Sequence, residues 1–482
     1  MTADLYNEIA YPTAIFAQAH PDRLAMIARV VGLSPPDIAS ARVLEIGGGD
    51  GMNVIAMAVS YPHGDFTNFD LAAEPIARGQ AWVERLGLNN CKMLELDILG
   101  AAEQLEGEFD YIIAHGVYAW VPPRVAEALL ALIGRKLSPD GVAFVSYNAM
   151  PGGHLRTALR DDVLAHVGDV EDEATFERRA TERLEQLAQR GGDKPNALQL
   201  ALRDAAAKCL NTEWGVLRHD ELGPFFHPQS LTDFVSTAQR HGLGFLGEGQ
   251  RQLCDEAILP EALAKHASDP DATHQLVRHL QRVDHEDLQF FRQTLLVRAD
   301  KQVPRRLNHA ALGNLYVASL AEHVGDAQFR RLSDVFEIRD EGLAKGLLAL
   351  TERRPYRMKG HKIADTPERL EALFRMFASG LVELHTAPAP CATTIPSHPV
   401  ASPLVRATLA AGMERVFTLD HRMVSMSEAD PRALLAQLDG SRHVDDLLND
   451  GPIGAVDDPE KLQAALAKSV SEALIMPADK AD

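Results

Sequence analysis

The segment Val43-Leu44-Glu45-Ile46-Gly47-Gly48-Gly49-Asp50-Gly51 constrains this chain more than any other. It reads as a buried strand that breaks into a glycine loop, with the Glu45 carboxylate one turn upstream. Val43, Leu44 and Ile46 supply a β-prone apolar run, and glycines at 47, 49 and 51 let the loop backbone approach a ligand closely. The helical pattern that follows (Val54, Ile55, Met57, Ala58) puts a helix N-terminus at the loop, as nucleotide-type ligands require. A G-x-G-x-x-G dinucleotide fingerprint needs glycine at 52, where Met52 stands, and no Gly-Lys-Ser/Thr follows to make a phosphate-cradling P-loop.

Strand and helix patterns alternate from residue 42 to about 148. Strands are expected at 42–46, 65–70, 91–95, 109–114 and 141–147, with helices at 52–60, 74–86 and 123–136, after a lead-in helix from Pro21 to Val31. That rhythm predicts a parallel sheet with right-handed crossovers and ligands at the carboxyl ends of its strands. Asp70 ends the second strand, about 20 residues past the loop, where an acid accepts hydrogen bonds from a ribose diol; its plainer role would be capping the next helix.

After Asn148 the rhythm breaks. Residues 155–210 read as helical, with a charged stretch at 171–190 and a Gly-Gly-Asp-Lys-Pro interruption at 191–195. A helix over Ser230–Arg240 precedes strand-like 242–246, and strand character returns at 294–298. From about 301 to 385 the pattern is mainly helical. A linker bearing prolines 388, 390, 396, 399 and 403 follows, then short helical patterns around Leu404–Met413 and Arg432–Leu438 that end at Asp439-Gly440.

Composition narrows the function classes. With 48 basic and 68 acidic residues the net charge is −20, a poor match for nucleic acid and a better one for basic partners. The four isolated cysteines (Cys91, Cys209, Cys254, Cys391) suit a reducing compartment and offer no zinc spacing. No signal peptide or membrane span is evident, so a cytoplasmic location is expected.

Two further segments end strands on the ligand side. Phe109–Pro122 runs into a loop rich in His115, Tyr118 and Trp120, and Ser146–His154 brings Tyr147, Asn148 and His154. These six residues are expected to converge around a reacting atom. Their histidines have no metal-ligand spacing, so no metal is expected.

The E-x-G-x-G-x-G pattern resembles motif I of the class I methyltransferases that use S-adenosyl-L-methionine. The chain as a whole resembles the bacterial methyltransferases that carry a methyltransferase regulatory region and a C-terminal domain, a group that includes the rickettsial protein lysine methyltransferases. The matching strings are Tyr11-Pro12, His20-Pro21-Asp22-Arg23-Leu24, the glycine loop with Asn53, His115-Gly116-Val117-Tyr118-Ala119-Trp120-Val121-Pro122 and Ser146-Tyr147-Asn148-Ala149-Met150-Pro151-Gly152. Others are His219-Asp220-Glu221-Leu222, His241-Gly242-Leu243, Phe291-Arg292-Gln293-Thr294-Leu295-Leu296 and Leu438-Asp439-Gly440. Two positions depart from the family. Gly153 stands where tryptophan is usual, which removes an aromatic wall from the expected acceptor pocket, and Met52 replaces a small residue.

The resemblance implies an α/β fold. Its core is a Rossmann-like class I methyltransferase sheet, mostly parallel and closed by antiparallel pairing of the sixth and seventh strands, with a helical insertion and a mainly helical C-terminal region. Expected boundaries are 1–154 and 212–300 for the methyltransferase domain, 155–211 for the insertion, 301–387 for a helical middle region, 388–403 for the linker and 404–482 for a small C-terminal domain. A separate domain over 155–300 is the alternative to the insertion.

For the cofactor, the resemblance implies that Glu45, Gly47, Gly49, Gly51 and Asn53 meet the methionine portion, Asp70 and Leu71 the ribose, and Asp97 and Ile98 the adenine, with His115 beside them. The implied activity is N-methylation of accessible lysines on a protein substrate, and the resemblance allows a homodimer. The alternatives are a small-molecule O- or N-methyltransferase and a non-catalytic cofactor-binding scaffold. In the leading case Tyr118, Trp120 and Tyr147 form the acceptor pocket, and His115 or His154 hydrogen-bonds the amine. The segment around Tyr6 and Tyr11 is expected to fold over the cofactor as a lid.

Overall fold

The structure, a computed structural model, describes residues 2–170, 172–189, 194–250 and 272–478. Cys254 lies outside them; Cys91, Cys209 and Cys391 are buried free thiols. The central sheet comprises β1 (Arg42–Ile46), β2 (Asp65–Asp70), β3 (Cys91–Glu95), β4 (Phe109–Ala114), β5 (Leu137–Asn148), β6 (Leu243–Glu248) and β7 (Phe291–Arg298). Their order is β3-β2-β1-β4-β5-β7-β6. β1 to β5 pair in parallel, and β7 is antiparallel to both β5 and β6. Only β7 is reversed, because two antiparallel pairings return β6 to the direction of the first five.

Most expected spans up to residue 136 agree with the structure, but β5 starts at Leu137 rather than 141. Pro139 and Gly141 read locally as a turn, yet Leu137 pairs with Phe109 across a register irregularity in the β4–β5 ladder. The helices between strands are α3 (Met52–Ser60), α4 (Ala73–Leu86), α5 (Ile98–Gln104) and α6 (Pro123–Lys136), preceded by α1 (Thr2–Glu8) and α2 (Pro21–Val30).

Strand alternation divides the core into two layers. Val43, Tyr111, Val142 and Phe144 pack against α2 and α3 through Leu24, Met26, Val54 and Ile55. Leu44, Ile46, Ile112, Val145 and Tyr147 point the other way, against Leu129 and Ile133 of α6 and Phe234 of α11 (Leu231–Arg240). On β5 this places Phe144, Ser146 and Asn148 on one face and Tyr147 on the opposite one. That parity decides the composition of the site.

Between β5 and α11 the chain forms α7 (Gly153–Val167), α8 (Glu173–Ala188), α9 (Ala197–Leu210) and α10 (Trp214–Asp220). These helices bury a cluster of their own, including Leu159, Val163, Leu184 and Leu217. The chain then returns to the sheet at β6, and α12 (Ala272–Asp287) leads into β7. β6 and β7 thus belong to the central sheet.

Residues 301–387 are mixed rather than mainly helical. Helices His309–Asn314, Glu341–Glu352 and Pro367–Ala378 alternate with strands of two to four residues. Tyr316–Ser319 sits between Met358–Lys359 and Val382–His385, and a three-stranded meander covers 322–337. Strands this short carry too few residues to establish a period of two against the stronger helical pattern. Leu312, Val317, Leu347 and Phe377 join the same cluster as Val43 and Phe144, so this region covers one face of the sheet.

The proline-bearing segment is also pinned rather than free. Ala392 N donates to Ile475 O at 2.9 Å and Ala401 N to Leu438 O at 2.8 Å, which ties the segment into the C-terminal module. That module carries helices Pro403–Ala410, Ala429–Gln437 and Pro459–Ser471 around Val405, Leu435 and Leu466. Among the described residues no helix is long and apolar enough to cross a membrane.

One buried ion cluster fastens the last two strands. Arg292 on β7 donates through Nε and Nη2 to Asp284 Oδ2 and Oδ1 at 3.0 and 2.7 Å, and its Nη1 lies 2.6 Å from Glu248 Oε1 on β6. All three side chains are fully buried. Removing the cation leaves two carboxylates uncompensated in the core. Arg292→Met should therefore destabilise the protein by about 3–5 kcal/mol, read as a lower urea midpoint. Arg178→Ala, which breaks the exposed pair with Glu182, should shift stability by less than about 0.5 kcal/mol. Equal midpoints for the two variants would overturn this assignment.

Candidate active site

The loop after β1 forms because three of its glycines occupy left-handed backbone: φ is +66° at Gly47, +57° at Gly49 and +66° at Gly51. Gly49 faces open space, so the loop presents bare backbone at the carboxyl edge of the sheet. Beneath it Glu45 is buried, and its Oε1 accepts from Asn53 Nδ2 at 2.8 Å. Its Oε2 has no partner, and burial raises the carboxyl pKa to about 8. Asn53 Oδ1 accepts from Phe16 N at 2.9 Å and from His421 Nε2 at 2.8 Å. Asn53 is therefore a buried cross-brace between three distant parts of the chain.

Asp70 ends β2 with Oδ2 accepting from Gly49 N at 3.0 Å and Oδ1 from Ala72 N at 2.9 Å. Burial raises its pKa, opposed by these backbone donors. It thus sits against the glycine loop at the height where a ribose would lie. The next residue, Leu71, is 46% exposed, and Leu99 beyond β3 is 40% exposed. These two apolar side chains, left uncovered at the strand ends, suit the faces of a purine. Asp97 caps α5 by accepting from Leu99 N at 2.9 Å, which leaves its second oxygen at the surface beside half-buried Ile98. An orphaned carboxylate oxygen, an open glycine backbone and two bare leucines fit a nucleoside bearing an amino-acid tail.

The expected acceptor pocket divides. His115 Nδ1 lies 2.8 Å from Ser146 Oγ, which also accepts from Gly116 N at 2.8 Å. The imidazole packs against Phe16 at 4.0 Å between centroids, with Phe144 and Phe291 at 5.8 and 6.3 Å. Burial lowers its pKa to about 4, so the ring is neutral at pH 7.

Tyr147 points away, through the opposite face of β5. It stacks on Phe234 at 4.3 Å, and its hydroxyl pairs with Thr294 Oγ1 at 3.1 Å. Tyr118 meets the same phenylalanine edge-on at 5.1 Å. Both tyrosines are core residues and do not join the pocket. Trp120 packs on Phe226 at 4.8 Å and under Arg156 at 5.6 Å, so its ring is already covered. Asn148 is buried on the same face of β5 as Ser146, whereas His154 is exposed at the start of α7. At Gly153 an added Cβ would lie 2.9 Å from Pro228, so no aromatic wall fits there.

The N-terminal segment supplies what the tyrosines do not. Tyr6 stacks on His219 at 4.2 Å with the rings 14° apart, and His219 Nε2 pairs with Ile9 O at 2.9 Å. Tyr11 donates to Asp220 Oδ2 at 3.0 Å, Thr13 donates to Asp50 Oδ2 at 2.5 Å, and Phe16 continues into the Asn53 brace. Burial, then Asp70, then Asp220 push the Tyr6 phenol well above its ordinary range. The segment thus crosses the cleft from α10 to the glycine loop. Asp220 is itself raised by burial. The sequence signal for it was the His219-Asp220-Glu221-Leu222 string, which carried no role until the fold brought α10 to the cleft.

Because the folded pKa of His115 lies below the ordinary value near 6.5, its contribution to stability declines as pH falls from about 6.5 toward 4. Its ring resonances should hold constant from about pH 8 to 5.5 and titrate near 4. Histidine-labelled protein, with His115→Gln for assignment, provides the measurement. A midpoint near the ordinary value would refute the buried neutral ring.

Residues 18–239 match the family model described as a methyltransferase domain. One uncharacterised protein of Rickettsia prowazekii (strain Madrid E) is 28% identical over 320 residues, covering 63% of this chain and 54% of its own length. A second from the same organism is 35% identical over 161 residues, covering 33% of this chain and 64% of that protein. The chain thus spans between half and two thirds of these relatives. Among solved structures, PKMT2 from Rickettsia typhi superposes with a TM-score of 0.79 at 22% identity, covering 96% of this chain and 100% of that one. The same protein in complex with AdoHcy gives a TM-score of 0.77 over 96% and 99%. With the β3-β2-β1-β4-β5-β7-β6 sheet, the glycine loop and the matched family model together, the chain carries a class I, S-adenosylmethionine-dependent methyltransferase domain.

Proposed function

We propose that the whole protein transfers methyl groups from S-adenosylmethionine to lysine side chains of a protein substrate. The observation that carries this reading is the Tyr11–Asp220 pair at the cleft, where the half-buried carboxylate accepts from the phenol. An anionic group on the acceptor side of the cleft suits an incoming ammonium and disfavours a phenol or carboxylic acid. Likeness to PKMT2 from Rickettsia typhi along nearly the whole chain supports the same substrate class, as does a net charge of −20.

When bound, S-adenosylmethionine supplies an already activated methyl group, so the residues have to align the acceptor, exclude water and let the amine lose its proton. A lysine of ordinary pKa near 10.4 costs roughly 4.6 kcal/mol to deprotonate at pH 7. Asp220 would receive the ammonium, and the aromatic surroundings of Phe16, His115 and Phe291 would favour its neutral form by desolvation. With a pKa near 4, His115 is a weak base at neutral pH; its part is to wall the site and orient the amine through a hydrogen bond. Glu45 and the glycine loop would hold the methionine end, and Asp70 the ribose.

Incubating the protein with a cell lysate and methyl-labelled S-adenosylmethionine tests the substrate class. Mass spectrometry should find label on lysines of one or a few proteins; label confined to the small-molecule fraction would reject protein methylation. Asp220→Asn should lower kcat/KM for the protein acceptor by roughly 100-fold, the scale of a lost charged contact, while cofactor affinity stays within about twofold. A parallel loss of cofactor binding would assign Asp220 to the cofactor instead.

A further inference from the structure

A cavity of about 100 Å³ lies where three parts of the chain meet. The start of α2 contributes His20 and Asp22, the middle region contributes Arg354, Arg357 and His385, and the C-terminal module contributes Asp420 to Arg422. His421, which lines this cavity, is also the residue that braces Asn53. The cavity therefore stands behind the cofactor loop, separated from it by that brace.

Its lining carries Arg23, Arg354, Arg357 and Arg422 against Asp22, Glu383 and Asp420. Asp22 is saturated: Oδ2 lies 2.7 Å from His385 Nδ1, and Oδ1 accepts from Thr386 N and Oγ1 at 2.7 and 2.5 Å. Asp420 pairs with Arg422 at 2.9 Å, and Arg422 reaches Glu472 at 3.4 Å. Arg354 and Arg357 differ from these. Nε of Arg354 donates to Ser319 O at 3.0 Å, and Nη1 of Arg357 donates to Ala387 O and Pro388 O at 3.1 and 3.3 Å. Neither guanidinium is in an ion pair among the described residues, although Arg357 is only 7% exposed in a chain of net charge −20. None of their nitrogens is sealed away unpartnered, so the N–H groups left over after these carbonyl contacts open on accessible space. Glu383 also lines the cavity and has a partner of its own.

Two arginines whose guanidinium N–H groups are only partly taken up by backbone carbonyls, set in a walled cavity, are an arrangement that recognises oxyanions, because the planar guanidinium matches their geometry. We propose that this cavity binds a small oxyanion, a phosphate or carboxylate group on a molecule of few heavy atoms, held by Arg354 and Arg357. The volume admits a group of that size and excludes a nucleotide. Burial and the neighbouring Arg422 disfavour the charge on Arg354 while Glu472 and Asp420 favour it, and a bound anion would add to the favourable side. The bound group would join the middle region to the C-terminal module, the part that supplies His421. This site is independent of the methyl-transfer reading and does not require it.

Inorganic phosphate serves as the probe, with ionic strength held constant by sodium chloride, in equilibrium dialysis of the full chain and in thermal unfolding. Wild type should bind phosphate saturably at about one site per chain, with a matching rise in unfolding temperature. Arg354→Gln should weaken that binding at least tenfold, while Arg354→Lys retains part of it; these variants keep the test open if Arg357→Gln fails to fold. Malonate in place of phosphate separates the sources: tighter malonate binding indicates a carboxylate ligand, tighter phosphate binding a phosphorylated one. The proposal is overturned if wild type shows no saturable binding of either anion beyond the chloride control. It also fails if Arg354→Gln binds as wild type does, or if saturating S-adenosylhomocysteine displaces the anion.

Discussion

One buried amide holds the working parts of this molecule in register. Asn53 donates to Glu45 at the end of β1 and accepts from Phe16 of the N-terminal segment and His421 of the C-terminal module, all at 2.8–2.9 Å. A buried amide that satisfies three partners is costly to disturb, since each broken contact strands a polar group in a dry environment. The cofactor loop, the strap over the cleft and the far end of the chain are therefore positioned by one side chain. It also explains why residues more than 300 positions downstream belong to the description of a loop near residue 50.

The faces of β5 show the same dependence on geometry. Ser146 and Tyr147 are adjacent in sequence and both stand in the distinctive Ser146–Gly152 string, yet the pleat sends them to opposite sides of the sheet. Ser146 engages His115 and Gly116 on the cofactor side, whereas Tyr147 stacks on Phe234 in the other layer. Aromatic residues clustered at a strand's end therefore do not by themselves make a pocket. Tyr118 and Tyr147 fill a core, and Trp120 is covered by Phe226 and Arg156. Of the aromatic groups assigned to the cleft, Tyr6, Tyr11 and Phe16 come from the segment ahead of the first strand.

Other strings with a family resemblance turn out to be structural devices. Arg292, in the Phe291–Leu296 string, locks β7 to β6 and α12 through two buried carboxylates. Asp22, in the His20–Leu24 string, ties α2 to His385 and Thr386 of the middle region. Gly153 is small because Pro228 occupies the space beside it, so its departure from tryptophan accompanies a repacked neighbour.

The sequence by itself determined the alternation of strands and helices that makes a mostly parallel sheet, the glycine loop, and the acid at the end of β2. These follow from local periodicity and short spacings, which need only neighbouring residues to be read. Tertiary structure alone decided which aromatics face the cleft, where Asp220 sits, that residues 301–387 mix strands with helices, and that the proline segment is strapped down. Each depends on contacts between residues tens to hundreds of positions apart, and sheet parity or a remote hydrogen bond leaves no periodic trace in the chain. The brace from His421 to Asn53 is the clearest case, because nothing within ten residues of either one announces the other.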